Sequence, residues 1–286
     1  MTRNDRARLP ALMLTSALAC TGGADRLRTD APVPPAEVTV TATDFAFGAP
    51  DTIESGLTTF RLRNHGDELH MAQLIRLEDG RTLDEFLVAY AEAFRTAGPR
   101  PPWATRLGGP GAADPRGQSN ATHQLEPGNY AWICLMNVPD GIPHVVKARM
   151  ARPFVVRPRS TGSAAQIAPD AGVVIRLADY AFHLDAPLTA GRHVVRVVNE
   201  GSEPHEVALV RLVAGKTMRE FEDWMQAPDG PPPINAVGGV SSIAAGAGAW
   251  FEVDLVPGDY VLLCFVTAPD GRPHTRHGMI LPFRVG

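Results

Sequence analysis

The residues of this 286-residue chain best suited to chemistry are soft metal ligands that occur twice in the same order. Cys134 precedes His144 by ten positions and Cys264 precedes His274 by ten, with a Pro-Asp-Gly turn and a Pro-His pair in both intervals. Met279 follows the second of these loops. Thiolate, imidazole and thioether together select soft or borderline metals, and copper above all. The pattern predicts a tandem repeat that carries a candidate metal site.

Further matches extend the repeat along the chain. Each copy contains an Asp-aromatic-Ala-Phe segment, an Asn followed six residues later by a His, a Gly-Gly pair, and a Leu-x-Pro-Gly-x-Tyr turn with the Cys four positions after the Tyr. The paired segments are Asp44–Phe47 and Asp179–Phe182, Asn64–His70 and Asn199–His205, Gly108–Gly109 and Gly238–Gly239, and Leu125–Tyr130 and Leu255–Tyr260. The second of these pairs places a His at equivalent positions, His70 in the first copy and His205 in the second.

The elements that must position these residues are mostly strands. Alternating β-branched residues such as 38–41 predict strands, and Gly (27) and Pro (26) suit the turns between them. Thr82 with Glu85 and Thr217 with Glu220 form capping boxes, so each copy has one inserted helix. Strands, a helix and strands again predict an all-β chain built as two tandem β-sandwiches.

Length and composition agree with two globular domains. The chain is 44% hydrophobic and 20% charged, which is enough for ordinary cores. We expect domain 1 at 38–157, a linker at 158–172 and domain 2 at 173–286. The formal net charge of -4 argues against a nucleic-acid partner, which needs a basic surface.

The first 37 residues are typical of an exported protein. Three Arg, a short apolar stretch and Ala17-Leu18-Ala19 predict a signal peptide at 1–19, and no apolar run reaches the ~18 residues of a membrane span. Cleavage would leave Cys20 first, as in bacterial lipoproteins, so lipidation of Cys20 is expected and plain secretion is the alternative. Residues 20–37 would be a flexible tether. The protein is therefore expected in the cell envelope or periplasm, anchored to a membrane by lipid.

Each predicted domain contains one of the two remaining cysteines. A disulfide framework normally pairs Cys within a domain, so a metal thiolate fits Cys134 and Cys264 better. A bridge between the domains is the alternative, and a buried apolar role at the end of a strand is another.

Taken together, these motifs resemble the cupredoxins, the Greek-key β-sandwich family of plastocyanin and azurin. The resemblance covers both repeats and implies two His and one Cys in a trigonal set around copper, with Met as a long axial ligand. Carried over by position, the implied ligands are His205, Cys264, His274 and Met279 in domain 2, and His70, Cys134, His144 and Met150 in domain 1. Domain 2 keeps the fuller pattern and is the preferred copper site.

This sequence departs from the family pattern in several places. The Cys-to-His loop is longer, and Met71 and Glu206 follow the first His. His277 is an alternative ligand or a surface residue, and Met71 and Met136 add thioethers that favour Cu(I). The alternative for Met150 and Met279 is that both are apolar core residues and not metal ligands.

Three functions follow from the resemblance. The first is copper binding for one-electron transfer or copper handling, with a redox or copper-delivery protein as partner. The second is a metal-free interaction module at the cell envelope. The third is a copper oxidoreductase, but the sequence has no His-x-His pair and no His beside either Cys, which argues against that enzyme class.

Overall fold

Alternating burial defines the strands in the computed structural model, which describes Met1, residues 31–137 and residues 140–286. Along β1, Val40 and Ala42 are buried while Glu37 and Thr43 are exposed, as expected when one face of a strand packs on a core. The predicted signal peptide, Cys20 and residues 20–30 of the predicted tether lie outside the described residues.

The described residues of the first repeat form nine strands and two helices. The strands are β1 Ala36–Thr43, β2 Ala46–Gly48, β3 Thr52–Glu54, β4 Gly56–Asn64, β5 Gln73–Leu77, β6 Ala104–Gly108, β7 Gln118–Leu125, β8 Gly128–Ile133 and β9 Ala151–Arg157. The helices are α1 Leu83–Thr96 and α2 His144–Lys147. The sequence predicts α1 but not the one-turn α2, which begins at a candidate ligand.

The second repeat has eight strands, an α-helix and a 3₁₀ turn. The strands are β10 Val173–Ala178, β11 Ala181–Leu184, β12 Gly191–Asn199, β13 His205–Leu212, β14 Ile234–Ile243, β15 Gly248–Leu255, β16 Gly258–Leu263 and β17 Ile280–Val285. The helix α3 spans Met218–Gln226, and the 3₁₀ turn spans His274–His277.

Each repeat is a Greek-key β-sandwich with an inserted helix, which confirms the predicted fold class. In the first, β2-β1-β4-β7 face β6-β5-β8-β9-β3; in the second, β11-β10-β12-β15 face β14-β13-β16-β17. Both sheets are mixed, since β1 with β4 and β10 with β12 pair in parallel in one and β3 with β9 in the other, while most other pairs are antiparallel. The two apolar cores lie between the sheets, and each contains one of the two candidate-site cysteines.

The inserted helices cover the outer face of the second sheet. Both begin at the predicted capping boxes: Glu85 N donates to Thr82 Oγ1 at 3.2 Å, and Glu220 N donates to Thr217 Oγ1 at 3.2 Å. Phe86 and Leu87 of α1, and Phe221 of α3, are buried against the strands that lead to the cysteines. No helix in the described part of the chain is long and apolar enough to span a membrane.

The two repeats join edge to edge, so both sheets continue from one into the other. Equivalent strands meet at the seam: β6 pairs with β14 and β7 with β15. The hydrogen bonds are reciprocal, because Gly111 N donates to Gly239 O at 3.1 Å and Ser241 N donates to Gly109 O at 3.0 Å. The same surface of each repeat is used, as in an isologous dimer interface. The fully buried Gln73 adds a bond from its Nε2 to Ser242 O at 2.9 Å.

Candidate metal centres

The two cysteines lie directly after buried strands. Cys134 follows β8 and Cys264 follows β16, and both side chains are fully buried free thiols. Their backbones are tied to the candidate methionines, since Cys134 N donates to Met150 O at 3.2 Å and Cys264 N to Met279 O at 3.3 Å. The structure thus brings each Cys beside the chain segment that carries the predicted Met.

The second His of each site is held by the same loop. His274 N donates to Val266 O at 2.8 Å, and Thr275 N donates to Cys264 O at 3.0 Å. The first repeat makes the equivalent bonds, from His144 N to Met136 O at 2.8 Å and from Val145 N to Cys134 O at 2.9 Å. The long Cys-to-His loop therefore folds back on itself and returns the His to the Cys.

The first His follows a loop that a buried Asn stabilises. Asn199 Nδ2 donates to Glu203 O at 2.8 Å and to Ile243 O at 3.0 Å, while its Oδ1 accepts from Gly201 N at 3.0 Å. In the first repeat Asn64 makes the matching bonds to Glu68 O and from Gly66 N. The Asn recognised in the sequence thus shapes the turn that delivers His70 or His205 to its site.

The six side chains converge in two separate groups. In the second repeat His205 Nδ1 and His274 Nδ1 lie 2.9 Å apart, and Cys264 Sγ lies 3.9 and 3.3 Å from them. In the first repeat His70 Nδ1 and His144 Nδ1 lie 3.2 Å apart, and Cys134 Sγ lies 3.8 and 3.5 Å from them.

The sizes of these triangles suit a transition-metal ion. A point equidistant from the three donor atoms lies about 2.0 Å from each in either group, close to the ~2.0–2.3 Å of metal–histidine and metal–thiolate bonds. All six side chains are at most 1% exposed. Two imidazoles and one thiolate in a trigonal set form a donor group suited to copper. The residues present therefore fit the metal that the resemblance implies.

Carboxylates on the far side of the imidazoles orient them. His70 Nε2 lies 3.1 Å from Asp44 Oδ1, and His205 Nε2 lies 2.9 Å from Asp179 Oδ1. A carboxylate accepts only from a protonated nitrogen, so the proton of each ring is on Nε2 and the Nδ1 lone pair faces the Cys. Carboxylate–histidine pairs of this kind orient metal ligands and make them more basic.

These two aspartates also hold their loops. Asp179 accepts from Ser202 N at 2.9 Å and from Ser202 Oγ at 2.6 Å. The Ser202 hydroxyl, the His205 ring and the backbone N–H groups lower the pKa of Asp179 below its ordinary value. The hydrogen bond from His70 and the N–H groups of Asp67 and Glu68 lower the pKa of Asp44 in the same way.

Burial disfavours the protonated form of the second imidazole and the thiolate form of the Cys in each site. Burial raises the pKa of Cys134 to about 12, and burial together with nearby Glu206 raises the pKa of Cys264. Burial and the facing imidazole lower the pKa of His144 and of His274. A bound cation would lower the pKa of each Cys again, because its positive charge stabilises the thiolate.

The two sites differ beside the first His. In the second repeat Glu206 N donates to Cys264 Sγ at 3.4 Å, and Glu206 Oε1 accepts from Phe265 N at 2.7 Å. In the first repeat the same position is the buried thioether Met71. The thiol of the second site therefore has a carboxyl group nearby, while that of the first shares an apolar core cluster with Met71.

An aromatic residue lies over each second His. Phe45 contacts His144 edge-on at 5.3 Å between ring centroids, and Tyr180 contacts His274 edge-on at 5.0 Å. Both aromatic residues have a positive φ, 67° for Phe45 and 68° for Tyr180. This backbone conformation is costly for a side chain of that size and typical of functional positions.

The remaining predicted ligands have distinct environments. Met150 and Met279 are fully buried in the same core clusters as Cys134 and Cys264 respectively. His277 is outside the second donor group: its Nε2 lies 3.2 Å from Asp270 Oδ1, and its ring stacks on Tyr180.

Sequence reasoning missed the residues that surround the ligands. Asp44, Asp179, Glu68 and Glu203 contact the four imidazoles, yet the sequence assigns them no role. The signal was available, because all four lie at matching places in the two repeats. Equivalent polar residues next to predicted ligands are candidates for orienting them.

Comparison with solved structures finds several copper proteins among the chains with some similarity to this one. Auracyanin A, a "blue" copper protein from Chloroflexus aurantiacus, is 20% identical with a TM-score of 0.31, and the match covers 43% of this chain and 99% of that one. The blue copper oxidase of Nitrosomonas europaea is 15% identical with a TM-score of 0.26, covering 88% and 85% of the two chains. No protein-family model and no curated protein matches the sequence.

At TM-scores of 0.31 and 0.26 these matches establish neither the family nor the activity of this chain. The architecture is defined by its own two sheets, and its two buried His–Cys–His groups fit the ligand set that the sequence resemblance implies. The inference of copper depends on the donor atoms of this chain, which support copper binding in either domain.

Proposed function

We propose that this chain is an exported two-domain copper protein that transfers single electrons. The observation that carries the proposal is the convergence of two Nδ1 atoms and one Sγ atom, twice, at metal-binding distances in fully buried positions. Copper bound there would supply one-electron chemistry by alternating between Cu(II) and Cu(I). His205, Cys264, His274 and Met279, and their counterparts His70, Cys134, His144 and Met150, are the proposed ligand residues.

The protein's own residues suit electron transfer because they hold the donors in one arrangement. Backbone bonds close the loop between Cys264 and His274, and Asp179 fixes His205 from behind. A donor set that does not rearrange favours rapid exchange of an electron. Catalytic metal sites keep an open position for substrate, whereas the ligand residues here are buried on all sides. We therefore favour a carrier over an oxidoreductase enzyme.

Copper handling is the second candidate, and the first site favours it. Met71, Met136 and Met150 belong to the same cluster as Cys134, and thioethers prefer Cu(I). A site rich in these groups suits a protein that receives and delivers reduced copper.

Visible spectroscopy with defined cysteine variants tests the proposal. The full chain with Cys20→Ser is loaded with Cu(II), alone and with Cys134→Ser or Cys264→Ser. If the protein transfers electrons, the loaded chain should show an intense thiolate-to-copper charge-transfer band. Each single Cys variant should reduce this band, and a variant with both Cys134→Ser and Cys264→Ser should abolish it. Tight retention of Cu(I) without that band would support copper handling. Absence of stoichiometric copper in both oxidation states would refute the metal function and leave the metal-free interaction module.

The location at the cell envelope is part of the proposal. It is supported by the sequence of residues 1–20 and predicts an acylated Cys20 in the membrane fraction. Expression in a Gram-negative host, followed by mass spectrometry and fractionation, tests it against Cys20→Ser, which should lose the lipid. A redox or copper-delivery protein in the same compartment is the expected partner.

A further inference from the structure

The two sites also differ at the second His, where the difference begins with one hydroxyl group. Tyr180 in the second repeat corresponds to Phe45 in the first, and both rings lie edge-on to the second His of their site. Tyr180 Oη donates to Glu203 Oε1 at 2.9 Å. Phe45 has no hydroxyl and leaves the corresponding Glu68 without that bond.

Where the hydroxyl group is present, the Glu carboxylate is aligned for a hydrogen bond with the second His. In the second site the other oxygen of Glu203, Oε2, accepts from His274 Nε2 at 3.1 Å. In the first site Glu68 Oε2 lies 2.9 Å from His144 Nε2 but out of line, so that His144 Nε2 has no hydrogen-bond partner among the described residues. Glu68 is also the more exposed of the two, at 40% of its side chain against 23% for Glu203.

Tyr180 is itself held in place from outside. Its ring stacks on His277 at 4.6 Å between centroids, and His277 Nε2 lies 3.2 Å from Asp270 Oδ1. In the first repeat Lys147 occupies the position of His277 and pairs with Asp140 at 2.7 Å. The contacts from Asp270 through His277, Tyr180 and Glu203 to His274 are thus continuous in the second repeat only.

We propose that Tyr180 is a positioning residue that aligns Glu203 with His274 and makes the second site the tighter, lower-potential copper site of the two. A carboxylate that accepts from the outer nitrogen fixes the ring and makes its inner nitrogen more basic, which stabilises Cu(II) more than Cu(I). The first site lacks this alignment, so its second His is the weaker donor. The inference rests on the proposed copper function and adds a division of roles between the domains.

Exchange of the two aromatic residues tests the proposal in the full chain. Tyr180→Phe is made in a Cys134→Ser background so that only the second site reports, and Phe45→Tyr in a Cys264→Ser background so that only the first does. Tyr260→Phe serves as the control, because Tyr260 Oη donates to Val256 O at 2.9 Å in a turn remote from the donor atoms. All proteins carry Cys20→Ser.

The copper-free proteins give the first measurement. In ¹⁵N-histidine-labelled protein, the Nε2–H proton of His274 should be protected from exchange with water, and Tyr180→Phe should abolish the protection while Tyr260→Phe should not. Unchanged protection in Tyr180→Phe would overturn the positioning role. This measurement needs no metal, so it separates the role of Tyr180 from the proposed function, which fails independently if the chain takes up no copper.

The copper-loaded proteins give the second measurement. Loss of the carboxylate that orients a ligand His costs about 10–100-fold in metal affinity. A tenfold loss of affinity for Cu(II) alone would raise the one-electron reduction potential by about 59 mV. Tyr180→Phe should show this rise and Phe45→Tyr a fall of similar size. Equal potentials before and after both exchanges, or shifts of the opposite sign, would refute the proposal.

Discussion

The Nδ1 atoms of His205 and His274 face each other at 2.9 Å, and the outer nitrogen of each ring is bonded to a carboxylate. Because the rings are protonated on the outer side, two lone pairs point at the same small space beside Cys264 Sγ. Such an arrangement is unfavourable without a cation. The fold itself holds these groups together, which makes metal binding and stability interdependent.

Copper should therefore stabilise the folded chain strongly. At a free concentration ~1,000 times Kd, each occupied site contributes about 4 kcal/mol to the free energy of unfolding. If the two repeats with their shared sheets unfold as one unit over 31–286, the melting temperature should rise by about 8–16 °C per site. Calorimetry with Cu(I) under anaerobic conditions, with a chelator to reverse the effect, measures the shift. A comparable rise in a Cys134→Ser, Cys264→Ser double variant would show that the ion binds elsewhere.

The two aspartates should act only on their own sites. Asp179→Asn replaces the charged acceptor for His205 Nε2 with a neutral amide, and Asp44→Asn does the same for His70. We expect each change to lower copper affinity by about 10–100-fold at its own site. Competition titrations in backgrounds with one intact Cys measure this, with Asp259→Asn as an exposed control. Equal losses at both sites from one change would indicate general destabilisation instead.

The copper-free protein should lose stability as the pH falls below about 6.5, partly through His123. This ring is 2% exposed, and burial lowers its pKa to about 3. The unfolded chain then binds a proton that the folded chain does not, so stability decreases on acidification by about 1.4 kcal/mol per pH unit. His123→Leu should reduce the change in unfolding free energy between pH 6.5 and 5.0 by about 2 kcal/mol. Denaturant titrations of both proteins at the two pH values measure this change. The same loss of unfolding free energy in both proteins would contradict the role given to His123.

The glycines at the seam should tolerate no side chain. A Cβ on Gly239, at φ 104°, would lie 1.9 Å from Val207 O, and Val207 is two residues from His205. Gly246 has φ 75° with nothing within 4 Å of the same position, so Gly246→Ala tests backbone strain alone, at about 1–2 kcal/mol. Gly239→Ala should cost about 2 kcal/mol or more beyond that. Chemical denaturation measures both free energies of unfolding. Similar losses would mean that the contact between Gly239 and Val207 relaxes easily.

Much of this architecture can be predicted from the amino-acid sequence. Alternation in residues such as 38–41 predicts strands because the side-chain period of a strand is two, and the structure confirms β1 there. The capping boxes at Thr82 and Thr217 mark both inserted helices, because local hydrogen bonds determine helix starts. The repeat of Cys, His and Met identifies the residues that the fold brings together. Short-range rules and internal repetition thus determined the fold class and the candidate ligands.

Other features depend on contacts between distant residues, and only the tertiary structure decided them. Asp44 contacts His70 across 26 positions, and Glu203 contacts His274 across 71, so no local pattern reveals the pairs. The seam joins β6 to β14 through reciprocal bonds that depend on which edges remain open after each sandwich forms. The hydroxyl group that distinguishes Tyr180 from Phe45 affects His274 only through Glu203, a contact that the sequence does not show. The sequence by itself determined which donor atoms are available, whereas packing decided which way each nitrogen faces and which site is the better aligned.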